Sequence, residues 1–260
     1  MQILITAGGT REPIDGVRTI TNTSTGRLGA LIAEAFAARD SVTEIHYLCG
    51  PSAAVPRSGK ARIIPAADVA GLEAAVRNIL GHHRIDAVVH CMAVSDYRVR
   101  RVTSAAMMAD AFVNRPEETS QPAGRAEAES LMVSLLDEAA PVAAGGGKIS
   151  SQIDRMVLVM ERTPKIISLF RELSPRSVLV GFKLLDHAGH EDLMDAAHEL
   201  MKKAQCDFVL ANDLRDITGQ SHVGYLVGAG KSVRRLNTKE EIAEAIAEAV
   251  LEQRNGGGSQ

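Results

Sequence analysis

The sequence predicts an α/β fold, a doubly wound and mostly parallel sheet with helices on both faces. Three observations carry this reading. Short apolar runs alternate with longer stretches of helical periodicity along most of the chain. Runs such as "IDAVVHCMAVSD" are almost continuous in apolar residues, as expected of parallel strands covered on both faces. At 260 residues and 45% hydrophobic content, the chain can bury one sizeable core, so residues 1–260 are read as a single domain.

The elements follow in order. "QILITA" is the first strand, and "RLGALIAEAFAARD" places Leu28, Leu31, Ile32, Ala35 and Phe36 at helical spacing. "TEIHYLCG" and "ARIIPA" are the next strands, "DVAGLEAAVRNIL" is a helix, and "IDAVVHCMAVSD" is a strand that runs to Asp96. "DRMVLVMER" reads as a strand, "TPKIISLFREL" as a helix with Pro164 in its first turn, and "SVLVGFKL" as a strand. "HEDLMDAAHELMKKA" is a helix and "CDFVLAND" a strand. Two short strands around "VGYLVGAGKSVRRLN" make a small C-terminal antiparallel addition, and Thr238 to Glu241 begins the last helix as a capping box. Only about 102–147 breaks the rhythm, with Pro, Gly, Ala and acidic residues in weak periodicity, and reads as a flap or insertion. Residues 255–260 read as a flexible tail.

Composition excludes several function classes. A net charge of −3 and a pI near 6.3 argue against a nucleic-acid partner. No run approaches the roughly 18 apolar residues of a membrane span, and no signal segment opens the chain. The three cysteines are far apart, as in a reduced cytoplasmic protein. His90, Cys91 and Cys206 lie in apolar contexts and read as core or neutral lining.

The chemistry concentrates where strands end. Ligands of open α/β sheets bind beyond the carboxyl ends of the strands, where free helix N–H groups favour anions. There "RTITNTSTGRLG" either presents the hydroxyls and backbone amides of Ser24, Thr25 and Gly26 to such an anion, or uses Ser24 or Thr25 simply as a helix cap. A dinucleotide fingerprint is missing: Gly8-Gly9-Thr10 follows the first strand, and Cys49-Gly50-Pro51 stands where an acidic residue would hold a ribose. "GYLVGAGKS" imitates a P-loop with the wrong spacing and reads better as a hairpin turn. Asp96 is either a Mg²⁺ ligand or a turn aspartate, and Lys148 either closes over a polyphosphate or is a solvated charge. Phe182 faces a base ring or the core, and Asn212 and Asp213 either bind ligand or cap a loop.

Taken together, "TAGGTREPIDGVRTITNTSTGRLG", "AVSDYRV", "KISS", "TPKII", "VGFKL" and "DFVLANDL" resemble the phosphopantothenoylcysteine synthetase family in its stand-alone form. The resemblance implies a Rossmann-like ligase that works as a homodimer with Mg²⁺ and CTP or ATP, CTP favoured, and without a flavin. It implies 4′-phosphopantothenate and L-cysteine as substrates, with an acyl-nucleotidyl intermediate and release of pyrophosphate. By position, Asn22 and Lys148 match the catalytic residues. Gly8, Gly9, Ser24, Thr25, Gly26, Met92, Ala93, Asp96, Pro164, Lys165, Ile166, Ile167 and Phe182 match the nucleotide site, and Arg18 and Asn212 the substrate site. Two departures stand out. Asp96 and Lys148 are 52 positions apart, further than in bifunctional bacterial members, and Lys202 and Lys203 lie beside the nominal lysine positions, which are Leu200 and Ala204. The alternatives are an NAD(P)-dependent oxidoreductase and a non-catalytic nucleotide-binding regulator.

Overall fold

A computed structural model describes residues 1–115, 122–142, 147–218 and 221–256. The expected tail falls outside them from residue 257 on. The chain divides into two compact units. The larger contains Met1–Arg11, Thr21–Val94 and Pro164–Gln260, and the smaller contains Glu12–Ile20 and Ser95–Thr163.

The larger unit is built on an eight-stranded sheet. Its parallel strands are β1 (Gln2–Ala7), β4 (Glu44–Cys49), β5 (Ala61–Pro65), β6 (Ala87–His90), β9 (Val178–Leu185) and β10 (Phe208–Asp213). They lie in the order β10-β9-β6-β1-β4-β5, which is the Rossmann arrangement with its switch point between β1 and β6. Two antiparallel strands, β11 (Gly224–Val227) and β12 (Val233–Leu236), extend the β10 edge, while β2 (Arg11–Pro13) and β3 (Thr19–Thr21) pair in a separate two-stranded sheet. The turn between them, Ala229–Lys231, has Gly230 at φ 67°, so the P-loop imitation is a hairpin as expected.

Alternation along β1 assigns its side chains to opposite faces. Ile3 and Ile5 join a cluster with α1 (Arg27–Ala37) and α7 (Lys239–Gly256). Leu4 joins the other cluster, with α2 (Val69–His82), α5 (Ile166–Leu173) and α6 (His190–Ala204). α7 starts with a variant of the expected box. Thr238 Oγ1 accepts from the N–H of Glu241 at 3.1 Å, but the Glu241 carboxylate accepts from the N–H of Asn237, one residue upstream of the cap, at 2.7 Å.

Three expectations are corrected. β6 ends at His90, six residues before Asp96; the chain then lies extended beside the loop after β1, where Ala93 N–H donates to Gly8 O at 2.8 Å. Pro164 precedes α5 rather than entering it, because the helix starts at Ile166 with Lys165 in extended geometry as its cap. "DRMVLVMER" forms a strand, β8 (Met156–Arg162), but this pairs antiparallel with β7 (Tyr97–Ser104) in a separate two-stranded sheet.

That ribbon is the frame of the smaller unit. Where the sequence shows only weak periodicity, the unit contains α3 (Ala105–Val113) and α4 (Arg125–Glu138). Ser104 caps α3 by accepting from the N–H of Met107 at 3.2 Å. No residue of α3 is buried, and Leu135 alone is buried in α4. These helices rest on the propensity of Ala, Met, Leu and Glu rather than on an apolar stripe. Residues 139–142 run along β7: Ala139 O accepts from Arg101 Nη1 at 2.7 Å and Ala140 O from Thr103 Oγ1 at 2.8 Å.

Candidate functional site

In the larger unit, three loops meet at the carboxyl ends of β1 and β4 around a cavity of about 230 Å³. Its walls are Gly9, Arg11, residues 21–25, Ser52 and Ala53. Small residues allow this convergence. A side chain on Gly50 would put its Cβ 2.3 Å from Gly9 O, and one on Gly26 would put it 2.7 Å from Ala53 Cβ. Gly26 also holds φ at 70°, the left-handed region that other residues rarely adopt. Gly8, at φ 81°, turns the chain out of β1. Replacing Gly50 by Ala is expected to destabilise the fold by about 1–3 kcal/mol, because backbone rather than a flexible side chain blocks the new methyl. Urea midpoints of the two proteins at equal denaturant slope measure it.

Gly26, not Ser24 or Thr25, occupies the cap position of α1, so the cap residue brings no side chain; Thr25 Oγ1 accepts only a long 3.5 Å bond from Arg27 N–H, and the first turn has no acidic residue. The reason is local: the carbonyl of Thr25 accepts from Ala54 N–H at 2.9 Å, which draws that segment toward the β4 loop. An uncapped helix start is a ready receptor for an anion. Asn22 is exposed on the cavity wall, with Nδ2 donating to Val94 O at 3.2 Å. Arg11 Nη2 donates to Ser52 Oγ.

Other expected residues divide by what their side chains do. Met92 and Ile166 are buried in the core cluster with α2, so their side chains turn inward and these positions present backbone to the sheet's carboxyl edge. Pro164 and Lys165 are exposed, and Ile167 is half-buried. Phe182, half-buried, packs against the α1 and α7 cluster. Asn212 is buried and donates from Nδ2 to Val223 O at 2.9 Å. Asp213 caps the turn after β10 by accepting from Arg215 N–H at 2.9 Å. The cysteines behave as core: burial pushes the Cys91 and Cys206 thiols up to about 12, which removes the thiolate a nucleophile needs. His90 shares a 2.8 Å hydrogen bond with Thr6 Oγ1, and burial drives its pKa down to about 4, so it is neutral at pH 7.

In the smaller unit, Asp96 is exposed at the start of β7, and its carbonyl accepts from Thr163 N–H at 3.0 Å. Lys148 is also exposed, beside buried Ile149. Ile149 is held from both sides: its N–H donates to Asp15 Oδ2 at 3.1 Å, and its carbonyl accepts from Arg18 Nη2 at 2.7 Å. Arg18 pairs with Asp15 at 3.3 Å. The Asp15 carboxyl is lowered from its ordinary range, first by the N–H of Val17, then by those of Ile149 and Arg18 and by the Arg18 charge. Asp15 and Arg18 thus anchor the segment that carries Lys148. A cavity of about 340 Å³ lies within this unit, lined by Asp15, residues 99–102, Pro141 and Ile149.

Ser52 and Ala53 were missed by sequence reasoning, although "GPSAA" at the end of β4 signals them. A run of small residues after a strand invites another loop to close approach.

Residues 1–113 and 139–253 match the family described as the DNA/pantothenate metabolism flavoprotein C-terminal domain. The chain belongs to this family. The resemblance read from the motifs is borne out at that level. The match of the flavoprotein C-terminal domain skips 114–138, which holds α4 of the smaller unit. Among relatives, the coenzyme A biosynthesis bifunctional protein CoaBC of Thermococcus kodakarensis is 31% identical over 247 residues, 94% of this chain and 49% of its own length. The chain thus spans about half the length of this relative. A solved DNA/pantothenate metabolism flavoprotein from Streptococcus pneumoniae is 31% identical with a TM-score of 0.78, covering 97% of this chain and 99% of that one. A Cab2 mutant solved in complex with phosphopantothenate-cysteine has a TM-score of 0.65 at 17% identity, over 98% of this chain and 86% of that one, and shares the fold. Among the described residues, no helix is long and apolar enough to cross a membrane.

Proposed function

We propose that the chain is a phosphopantothenate–cysteine ligase in coenzyme A biosynthesis. The observation that carries this is the cavity at the uncapped start of α1, with the Asn22 amide in its wall. The family membership and the name of the Thermococcus relative support the same reaction class. A free carboxylate is a poor acyl donor because its oxygen is a poor leaving group. The 4′-phosphopantothenate carboxylate therefore attacks the α-phosphorus of CTP, or of ATP, and pyrophosphate leaves. The amine of L-cysteine then attacks the acyl carbon, and the nucleoside monophosphate leaves as the amide forms and the amine gives up its proton.

The chain's own groups suit these steps. The first-turn N–H groups of α1 favour phosphate oxygens, and the Ser24 and Thr25 hydroxyls add donors. Asn22 donates an amide N–H to oxygen that gains charge, without the long-range pull of a cation. The Lys148 ammonium serves charge developing on the phosphates. Asp96, an exposed residue, would hold Mg²⁺ through its carboxylate, and the ion would neutralise triphosphate charge. The homodimer implied by the family likeness is part of this reading.

A pyrophosphate-release assay tests it, with CTP and ATP run separately. Release is expected only with 4′-phosphopantothenate present, faster with CTP, and the amide product only with L-cysteine. Nucleotide binding without turnover for either triphosphate would instead favour a regulator.

A further inference from the structure

At the amino-terminal end of β4, away from the loop cavity that closes its carboxyl end, we propose that Glu44, His46 and His83 form a binding site for a divalent transition-metal ion of the Zn²⁺ class. Glu44 and His46 are two apart on one strand, so both side chains stand on the same face of the sheet. His83 reaches them from α2. It ends that helix in an extended conformation (φ −126°, ψ 139°), its N–H donating to Ile79 O at 2.8 Å, and its ring lies 4.5 Å from that of His46, centroid to centroid.

One donor atom from each of the three residues lies within 4.8 Å of the others, and His46 Nε2 is 3.6 Å from Glu44 Oε2. Zinc bonds of about 2.0–2.1 Å in a tetrahedron place donor atoms roughly 3.3–3.4 Å apart. The Glu44–His46 edge is already close to that length, and small rotations at half-exposed Glu44 and His83 close the other two.

Core packing does not account for His46. Its side chain is 1% exposed, yet neither ring nitrogen has a hydrogen-bond partner among the described residues. Leaving both nitrogens dry forfeits their hydration with nothing gained in return. A cation on Nε2 supplies a partner. Two imidazoles and one carboxylate select zinc, cobalt or nickel over magnesium or calcium, which prefer oxygen. Three protein ligands leave the fourth position to water on the exposed side. Arg62, beside His46 on β5, opposes the ion's charge.

The site is independent of the ligase reading, and so is its test. The full chain, stripped with EDTA, is titrated with Zn²⁺ by calorimetry in excess Mg²⁺. One ion per chain is expected, with affinity weakened at least about 10-fold in both His83→Gln and Glu44→Gln. Both positions are half-exposed, so these variants fold even where His46→Gln does not. Absence of stoichiometric Zn²⁺ binding by the parent, or parental affinity in either variant, overturns the proposal.

Discussion

Replacing Asn22 by Ala is expected to lower the turnover of pyrophosphate release by about 10²–10³, the loss typical of a single oxyanion donor. The fold should be untouched, because Asn22 is exposed and the hydrogen bond its side chain makes, to Val94 O, lies on an exposed wall. Asn22→Asp separates two roles. An amide that only shapes the cavity is replaced nearly silently by its isostere. An amide that donates to a developing negative charge becomes a carboxylate that repels it, and turnover falls at least as far as in the Ala variant. Single-turnover measurement of intermediate formation, with thermal unfolding as the control, reads the difference. Parental turnover in Asn22→Asp would end the assigned role of Asn22 while leaving the ligase reading standing.

The second large effect is loss of stability in acid. His90 and His222 are both buried, and burial drives both pKa values down to about 4, with the Lys239 charge contributing at His222. In the unfolded chain each titrates near its ordinary 6.5. Between pH 6.5 and 4 the unfolded state binds protons that the folded state refuses. Stability is therefore full above 6.5, falls as pH drops through this window, and levels off for these groups below 4. Each histidine contributes on the order of 2–3 kcal/mol to the fall. Urea midpoints between pH 7 and 4.5 should drop steeply in the parent and much less in the double variant His90→Gln, His222→Gln. Parallel curves would show that the two rings do not govern the window.

The sequence makes the larger unit legible because burial writes itself into periodicity. β1, β4 and β6 are buried along almost their whole length, and α1 and α2 present regular apolar faces. The smaller unit lacks that signal, since α3 buries nothing and α4 only Leu135, so its helices are invisible to an apolar-stripe criterion. The strand character of "DRMVLVMER" is local and readable. Its partner β7 is not, because pairing is a tertiary fact. The site divides in the same way. Asn22 and Gly26 follow from strand, loop and helix in succession, whereas Ser52 and Ala53 join them only because Gly50 leaves room for Gly9. At Met92 and Ile166 a motif fixes a backbone position and not the face its side chain takes, and both side chains turn into the core.

The chain leaves the larger unit after Val94 and returns to it at Pro164, an excursion that falls in sequence between β6 and β9, which are neighbours in the sheet. Closing a long excursion costs entropy that grows only with the logarithm of its length, about 0.6 kcal/mol for each doubling. Insertions and deletions there leave the sheet's thermodynamics nearly unchanged. The interval between Asp96 and Lys148 is accordingly free to drift among homologues, and a search pattern that demands a set spacing between an aspartate and a lysine would pass over chains such as this one.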